Sequence, residues 1–365
     1  MKSFRDSQKL AAILVDIAPH TLPRVVAEER LFELEELTKT YGGVAVVKTI
    51  QRRAQPDHRT FIGSGKVEQL KVEAVELGAN VIVVNDVLKP QQLYALTEAF
   101  RPLGVTVWDR IELILYIFDR HATSAEAKLQ IELARLRHIG PRIYGMGQQL
   151  GRQRGGTGTR GGGGEGNTEV MKRHLRERER AILAKLETHE QTRALQRARR
   201  TRTGHKTVAI VGYTNAGKTT LLNRLTGRKE LAANALFATL DTRVGTLKEY
   251  RDILVSDTIG FIRDLPPSLI AAFRSTLSEA VNADLLLWVV DVSDPRAGEQ
   301  VEVVRDVLKT LGVEERMKIL VANKVDKASA AQKKSFPEAF LVSALQGEGV
   351  SELISEIVHV LSPAS

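Results

Sequence analysis

At 365 residues with no cysteine, the chain has room for two domains with separate cores and excludes disulfide staples, thiol catalysis and thiolate zinc sites. No apolar run reaches the roughly 18 residues of a membrane-spanning helix, and Met1–Leu10 lacks the apolar core of a signal peptide, so a soluble, cytoplasmic protein is expected; a monomer is the separate working expectation. The net charge of +9 is unevenly placed: Arg135–Lys206 holds 18 Lys/Arg against 6 Asp/Glu, a net +12 that leaves −3 for the rest of the chain. Such concentration points to contact with a polyanion such as RNA, against the alternative of a solvated charged helix.

Residues 1–120 read as a parallel-sheet α/β domain. Short β-rich runs at Ala11–Ile17, Val44–Thr49, Asn80–Val84 and Val105–Val107 alternate with helical patterns at Glu28–Thr40, Lys66–Leu77 and Pro90–Phe100, and that rhythm calls for right-handed crossovers. Residues 121–204 read as a basic helical hairpin. Its apolar stripes are Leu129, Leu133 and Leu136 on one helix and Met171, Leu175, Ile182 and Leu186 on the other. Between them, Gly145–Asn167 contains GRQRGGTGTRGGGGEGN, a loop too rich in glycine to bury a core. Arg142, Arg152, Arg154 and Arg160 at this loop can fork onto phosphates, so they are the candidate RNA contacts. With Tyr144 the one aromatic there, phosphate and shape contact is expected rather than base stacking.

From residue 205 to 365 the β/α rhythm resumes. Strands are expected at Val208–Val211, Ile253–Ser256, Leu285–Val290, Ile319–Ala322 and Phe340–Val342, with helices at Lys218–Leu225, Ser268–Val281, Gln300–Thr310 and Val350–Leu361. This is the pattern of a doubly wound nucleotide-binding domain. Gly212, Tyr213, Thr214, Asn215, Ala216, Gly217, Lys218 and Thr219 spell GYTNAGKT, with Thr220 next. They match GxxxxGK[ST] between an apolar strand and a helix. Backbone N–H groups there wrap phosphates, Lys218 neutralises the β- and γ-phosphates, and Thr219 offers its hydroxyl to Mg²⁺.

Three further elements follow in order. DTIG at Asp257–Gly260 puts Asp257 behind the metal and the Gly260 N–H near the γ-phosphate. NKVD supplies Asn323, Lys324 and Asp326. The Asp326 carboxylate can accept from both N1–H and the 2-amino group of guanine, which selects GTP or GDP over adenine nucleotides. Ser343, Ala344 and Leu345 can support guanine O6 through a backbone N–H. In FATLDT (Phe237–Thr242), Thr239 is the first choice for the switch threonine that reaches Mg²⁺, and Thr242 the second. Lys218, Thr239 and Gly260 are thus the residues expected to act on the γ-phosphate. Phe261 stands where a water-orienting glutamine would sit, so hydrolysis is expected to be slow until a partner orders the switches. Asn215 has two readings, a K⁺ ligand or a turn asparagine. Gly63–Lys66 (GSGK) is too short for a phosphate loop and reads as the start of a helix.

The combination resembles the HflX family of ribosome-associated translational GTPases over nearly the whole chain. Beside FATLDT, DTIGF and NKVD, the resemblance rests on LEELTKTYGG (Leu34–Gly43), the Gln51–Arg53 triplet, FIGSGK (Phe61–Lys66), VNDVLKPQQ (Val84–Gln92) and the segment Asp109–Leu136. It implies binding to the ribosome, mainly its large subunit and RNA. It also implies a hairpin loop that reaches toward the peptidyl-transferase centre, and GTP-driven splitting of stalled or idle ribosomes. A non-catalytic GTP-responsive RNA-binding or assembly protein is the alternative. The sequence departs from the family where Gly161–Glu169 reads GGGGEGNTE in place of the more usual GPGETQLE. It also ends soon after the last expected helix, so contacts made by the extra C-terminal domain of some members are not expected.

Overall fold

The computed structural model describes residues 10–153, 163–227, 236–237, 243–264, 269–270, 277–313 and 315–362. By contacts the chain forms two compact units, one running to Arg120 and including Ile131–Leu183, the other comprising His121–Gln130 and Ala184 onward.

In the first unit β1 (Ala11–Ala18), β2 (Val44–Arg52), β3 (Val81–Val84) and β4 (Thr106–Asp109) form a sheet in the order β2-β1-β3-β4. Every pairing is parallel. Parallel strands need crossovers, and the helices that make them cover the sheet. These are α1 (Arg24–Tyr41), α2 (Ser64–Glu76) and α3 (Pro90–Phe100). The all-apolar β3 is accordingly buried at every position, and its core gathers Ile13, Val15, Phe61, Leu70, Ile82, Phe100 and Val107. A fourth helix, α4 (Arg110–His121), escaped the sequence reading. Its start is a reciprocal cap: the Glu112 N–H donates to Asp109 Oδ1 at 2.9 Å, and the Asp109 N–H donates to Glu112 Oε2 at 3.3 Å. The Asp-x-x-Glu spacing is the signature of that cap.

The hairpin helices are longer than expected: α5 is Ala125–Gln153 and α6 is Gly163–Arg202. The expected loop at 145–167 is therefore corrected, because both of its flanks are helical. Ile143, Met146 and Leu150 continue the three- and four-residue apolar spacing, and propagating a helix costs far less than nucleating one. Arg137 pairs with Glu179 at 2.8 Å and Arg178 with Glu132 at 2.7 Å, while Arg193 meets Glu126 nearer the base. The apolar stripe on α6 is also only partly a seam: Ile182 is buried but Met171 is exposed.

The second unit carries β5 (Lys206–Gly212), β6 (Arg243–Leu247), β7 (Tyr250–Asp257), β8 (Leu285–Asp291), β9 (Lys318–Asn323) and β10 (Phe340–Val342), in the order β10-β9-β8-β5-β7-β6. All pairings are parallel except β6 on β7. Helices α7 (Lys218–Thr226), α8 (Ser278–Asn282), α9 (Ala297–Thr310), α10 (Ala330–Lys334) and α11 (Val350–Leu361) complete it. The expected helix at Ser268–Val281 is described only in part, at 269–270 and from Ser278. Because β5 lies between β7 and β8, chain connections leave it in both directions and open a crevice at its C-terminal end, where such folds bind ligands.

Candidate nucleotide site

At that end β5 is buried from Val208 to Gly212. The chain then turns into α7, whose first N–H groups lack helical partners and suit an anion. The turn demands glycine at Gly217. Its φ is 90°, and any Cβ there would collide with the side-chain amide of Asn323. Asn215 sits exposed at φ 60°, a left-handed conformation that asparagine tolerates; this backbone accounts for the turn reading. The Lys218 ammonium is buried and donates to the Tyr213 carbonyl at 2.7 Å. Burial pushes its pKa down to about 8, with Lys324 adding to the effect and Asp257 opposing it. A buried cation held this way is primed for a phosphate.

Thr219 and Asp257 are brought together at the mouth of the loop. Thr219 Oγ1 donates to Asp257 Oδ2 at 2.6 Å, and Asp257 is fully buried at the end of β7. Thr214 Oγ1 is buried with no hydrogen-bond partner among the described residues, a donor left for a ligand. Gly260 packs so tightly that a methyl on it would lie 2.9 Å from both Lys218 Nζ and Thr214 Cα. Phe261 is buried, and its main chain pairs with the phosphate loop: its N–H donates to the Gly212 carbonyl at 3.1 Å, and its carbonyl accepts from the Thr214 N–H at 2.7 Å. Phe237 is buried at φ 57°. Thr239 and Thr242 lie outside the described residues.

The base-side elements converge on Asn323. Its Nδ2 donates to the Ala216 carbonyl at 2.8 Å, and its Oδ1 accepts from the Ala344 N–H at 3.0 Å. One buried amide therefore ties three loops together. Asp326 Oδ1 accepts from Ser343 Oγ at 2.7 Å, which fixes the orientation of the carboxylate. Lys324, at φ 65°, pairs with Asp291 at 2.7 Å. Arg224 Nε donates to the Ala344 carbonyl at 3.1 Å and its Nη2 to that of Leu345, while the Leu345 side chain is exposed. Arg224 and Asp291 are supports the sequence reading missed, since no local pattern marks a helix arginine or a strand-end aspartate.

The RNA-contact set is corrected at one position. Arg142 is buried, and its Nη2 donates to Asp109 and, at 3.1 Å, to the Leu88 carbonyl. Asp109 also meets His138 Nε2 at 3.1 Å. Beside them burial, reinforced by Asp109, pushes Glu112 up to about 7. Arg142 thus pins α5 to the corner of β4 and α4 and does not face a partner; a buried carboxylate outcompetes solvent for its guanidinium. Of the remaining set, Arg154 and Arg160 lie outside the described residues, as does the side chain of Arg152.

Comparison with known proteins agrees with this architecture. Residues 28–119 match the family model described as GTP-binding GTPase N-terminal, residues 121–200 the GTP-binding GTPase middle region, and residues 207–324 the 50S ribosome-binding GTPase. The GTPase HflX of Caldanaerobacter subterraneus is 44% identical over 324 residues, covering 88% of this chain and 73% of that protein. The chain belongs to the HflX family. The HflX GTPase of Magnetococcus marinus is 42% identical, covering 97% of this chain and 82% of its own, and that of Escherichia coli 37%, covering 92% and 79%. The HflX fold also matches the GDP complex of a GTP-binding protein from Sulfolobus solfataricus, at 24% identity and TM-score 0.50 over 98% of this chain and 100% of that one. Another GDP complex, titled SsGBP, reaches TM-score 0.56 at 24% identity over 97% and 99%. Among the described residues no helix is long and apolar enough to cross a membrane.

Proposed function

We propose that this HflX-family chain is a Mg²⁺-dependent GTPase that acts in the cytoplasm as a monomer. In its GTP state it binds the ribosome, mainly the large subunit and its RNA, and it parts stalled or idle ribosomes. The observation that carries the reading is the convergence of four guanine-nucleotide elements at the C-terminal edge of one sheet.

In this mechanism the N–H groups that open α7 and the Lys218 ammonium grip the β- and γ-phosphates. The Asp326 carboxylate, oriented by Ser343, accepts from guanine, and an adenine base would leave it desolvated and unpaired. Mg²⁺, bound together with the nucleotide, would be held by the Thr219 hydroxyl with Asp257 behind it and Thr239 as the proposed switch ligand, and it supplies charge neutralisation at the phosphates. The oxygen donors of Thr219 and Asp257, 2.6 Å apart at the mouth of the loop, suit that ion. Phe261 is buried and has no group to orient water, so hydrolysis depends on what a partner adds. The GTP state holds the switches in the ribosome-binding form, and hydrolysis lets the protein leave. Arg152, Arg154 and Arg160 are the proposed RNA contacts.

Co-sedimentation with ribosomes and separated subunits tests this reading. Binding should be strong with a non-hydrolysable GTP analogue and weak with GDP. Equal binding in both states would refute the nucleotide-controlled ribosome cycle.

A further inference from the structure

Phe261 has no polar atom to offer the attacking water, so hydrolysis by the chain itself has to use another group close to the γ-phosphate. Thr219, Thr258 and Tyr213 commit their hydroxyls to the protein. Thr219 Oγ1 donates to Asp257 at 2.6 Å, Thr258 Oγ1 donates to the Ile210 carbonyl at 2.8 Å, and the Tyr213 hydroxyl accepts from the Arg263 N–H at 2.9 Å. Thr214 differs. The residue is 5% exposed, and its Oγ1 has no hydrogen-bond partner among the described residues. A valine would fill the same volume without stranding a polar atom, so this hydroxyl costs stability until a ligand satisfies it.

The main chain fixes where that side chain starts. The peptide unit joining Tyr213 to Thr214 is held at both ends: its carbonyl accepts from Lys218 Nζ at 2.7 Å, and its N–H donates to the Phe261 carbonyl at 2.7 Å. Thr214 also packs against Gly260 through its Cα and Cγ2. It is therefore the neighbour of both groups assigned to the γ-phosphate, Lys218 and Gly260. It is equally the neighbour of Phe261, where a water-orienting glutamine is missing. A hydroxyl has one hydrogen to donate and lone pairs to accept, which suits a place between a water and a phosphoryl oxygen.

We infer that Thr214 is a catalytic residue whose hydroxyl accepts from the attacking water and donates to a γ-phosphoryl oxygen, in place of the side chain that Phe261 lacks. The inference rests on the GTPase reading of this site. The water oxygen bonds to the γ-phosphorus as the bond from that phosphorus to the β,γ-bridging oxygen breaks, and the electron pair of that bond leaves with GDP. One of the water's protons passes to a phosphoryl oxygen, the other stays on the new phosphate, and Thr214 keeps its own. A single neutral hydroxyl stabilises the transition state modestly, which leaves a partner room to raise the rate.

Single-turnover hydrolysis of GTP by saturating full-length protein, alone and with large ribosomal subunits, tests this role. Thr214→Val keeps the shape and removes the hydroxyl. It should lower the rate at saturation about ten- to a hundredfold, the range of one hydrogen bond to a charged group, and Thr214→Ser should recover most of that loss. In Thr214→Val, affinity for GDP with aluminium fluoride, a mimic of the phosphoryl group in transfer, should fall by more than affinity for GDP or a non-hydrolysable GTP analogue. A threonine that only packs predicts otherwise. A saturated rate equal to wild type overturns the inference, as does a loss seen only as weaker GTP binding, or a Thr214→Ser as slow as Thr214→Val. If Thr214→Val fails to fold, Thr214→Ala is compared with Thr214→Ser on the same readouts. Wild type that binds guanine nucleotide yet hydrolyses no GTP in either condition would overturn the GTPase reading, and this inference with it.

Discussion

Asn323 is the residue on which the base-side geometry turns, and its replacement by alanine should be costly out of proportion to its size. The side chain is 2% exposed and makes two bonds, to the Ala216 carbonyl at 2.8 Å and from the Ala344 N–H at 3.0 Å. Truncation strands an acceptor and a donor in a buried setting, at about 1–3 kcal/mol each, so roughly 2–6 kcal/mol is at stake. Either the loops hold their places and stability falls by that amount, or they relax and nucleotide affinity falls instead. At about 1.4 kcal/mol per tenfold, affinity for GTP should weaken by at least about 30-fold in the second case. Asn323→Asp separates shape from bonding. It keeps the acceptor for Ala344 but sets a carboxylate against the Ala216 carbonyl, so it should be as damaging as alanine despite its near-identical volume. Titration with a fluorescent GTP analogue, alongside thermal unfolding of the nucleotide-free protein, measures both routes. Wild-type affinity together with a wild-type melting temperature in Asn323→Ala would refute the claim that this amide joins the three loops.

Asp326→Asn should weaken GTP binding about ten- to a hundredfold through loss of charged hydrogen bonds, while xanthosine nucleotides bind better because an amide can donate to the 2-oxo group; competition titrations with both bases check it. The folded pKa of Lys218 is lowered from 10.5 to about 8, so the unfolded chain holds this proton over that window and the nucleotide-free protein should gain stability as pH rises through it. GTP binding needs the charged amine, so its Kd should rise across the same window, by up to about tenfold per pH unit, with proton uptake visible by calorimetry in two buffers; Lys218→Met should abolish both trends. Arg142→Ala should lower the melting temperature and leave the salt dependence of ribosome binding alone. Replacing Arg152, Arg154 and Arg160 together should lower the log–log salt slope by roughly 2–3, at about 0.7–0.9 per phosphate contact, without changing GTP affinity.

Much of this fold was legible in the sequence because its signals are local. Pro90–Phe100, Phe340–Val342 and Val350–Leu361 match the observed elements residue for residue, since the proline start, the short apolar run and the apolar periodicity each mark an element unaided. The phosphate loop, DTIG and NKVD were legible because close backbone approach and base selection each permit few residue types. Other features depend on distant partners and left no local trace. The antiparallel β6 is fixed by pairing with β7, and Arg142 looked like a loop cation because Asp109, 33 positions earlier, could not be foreseen as its partner. The Tyr213 hydroxyl meets Arg263 across 50 positions. The helical flanks of the glycine-rich segment were masked by composition, where glycine count outweighed the apolar spacing of Ile143, Met146 and Leu150.

The central claim is a guanine-specific hydrolase governed by the ribosome, and the direct measurement is multiple-turnover phosphate release from GTP and from ATP, with and without large ribosomal subunits. The account predicts slow release from GTP alone, marked acceleration by large subunits, and none from ATP in either condition. Release from ATP at a comparable rate, or a GTP rate that large subunits leave unchanged, would contradict it.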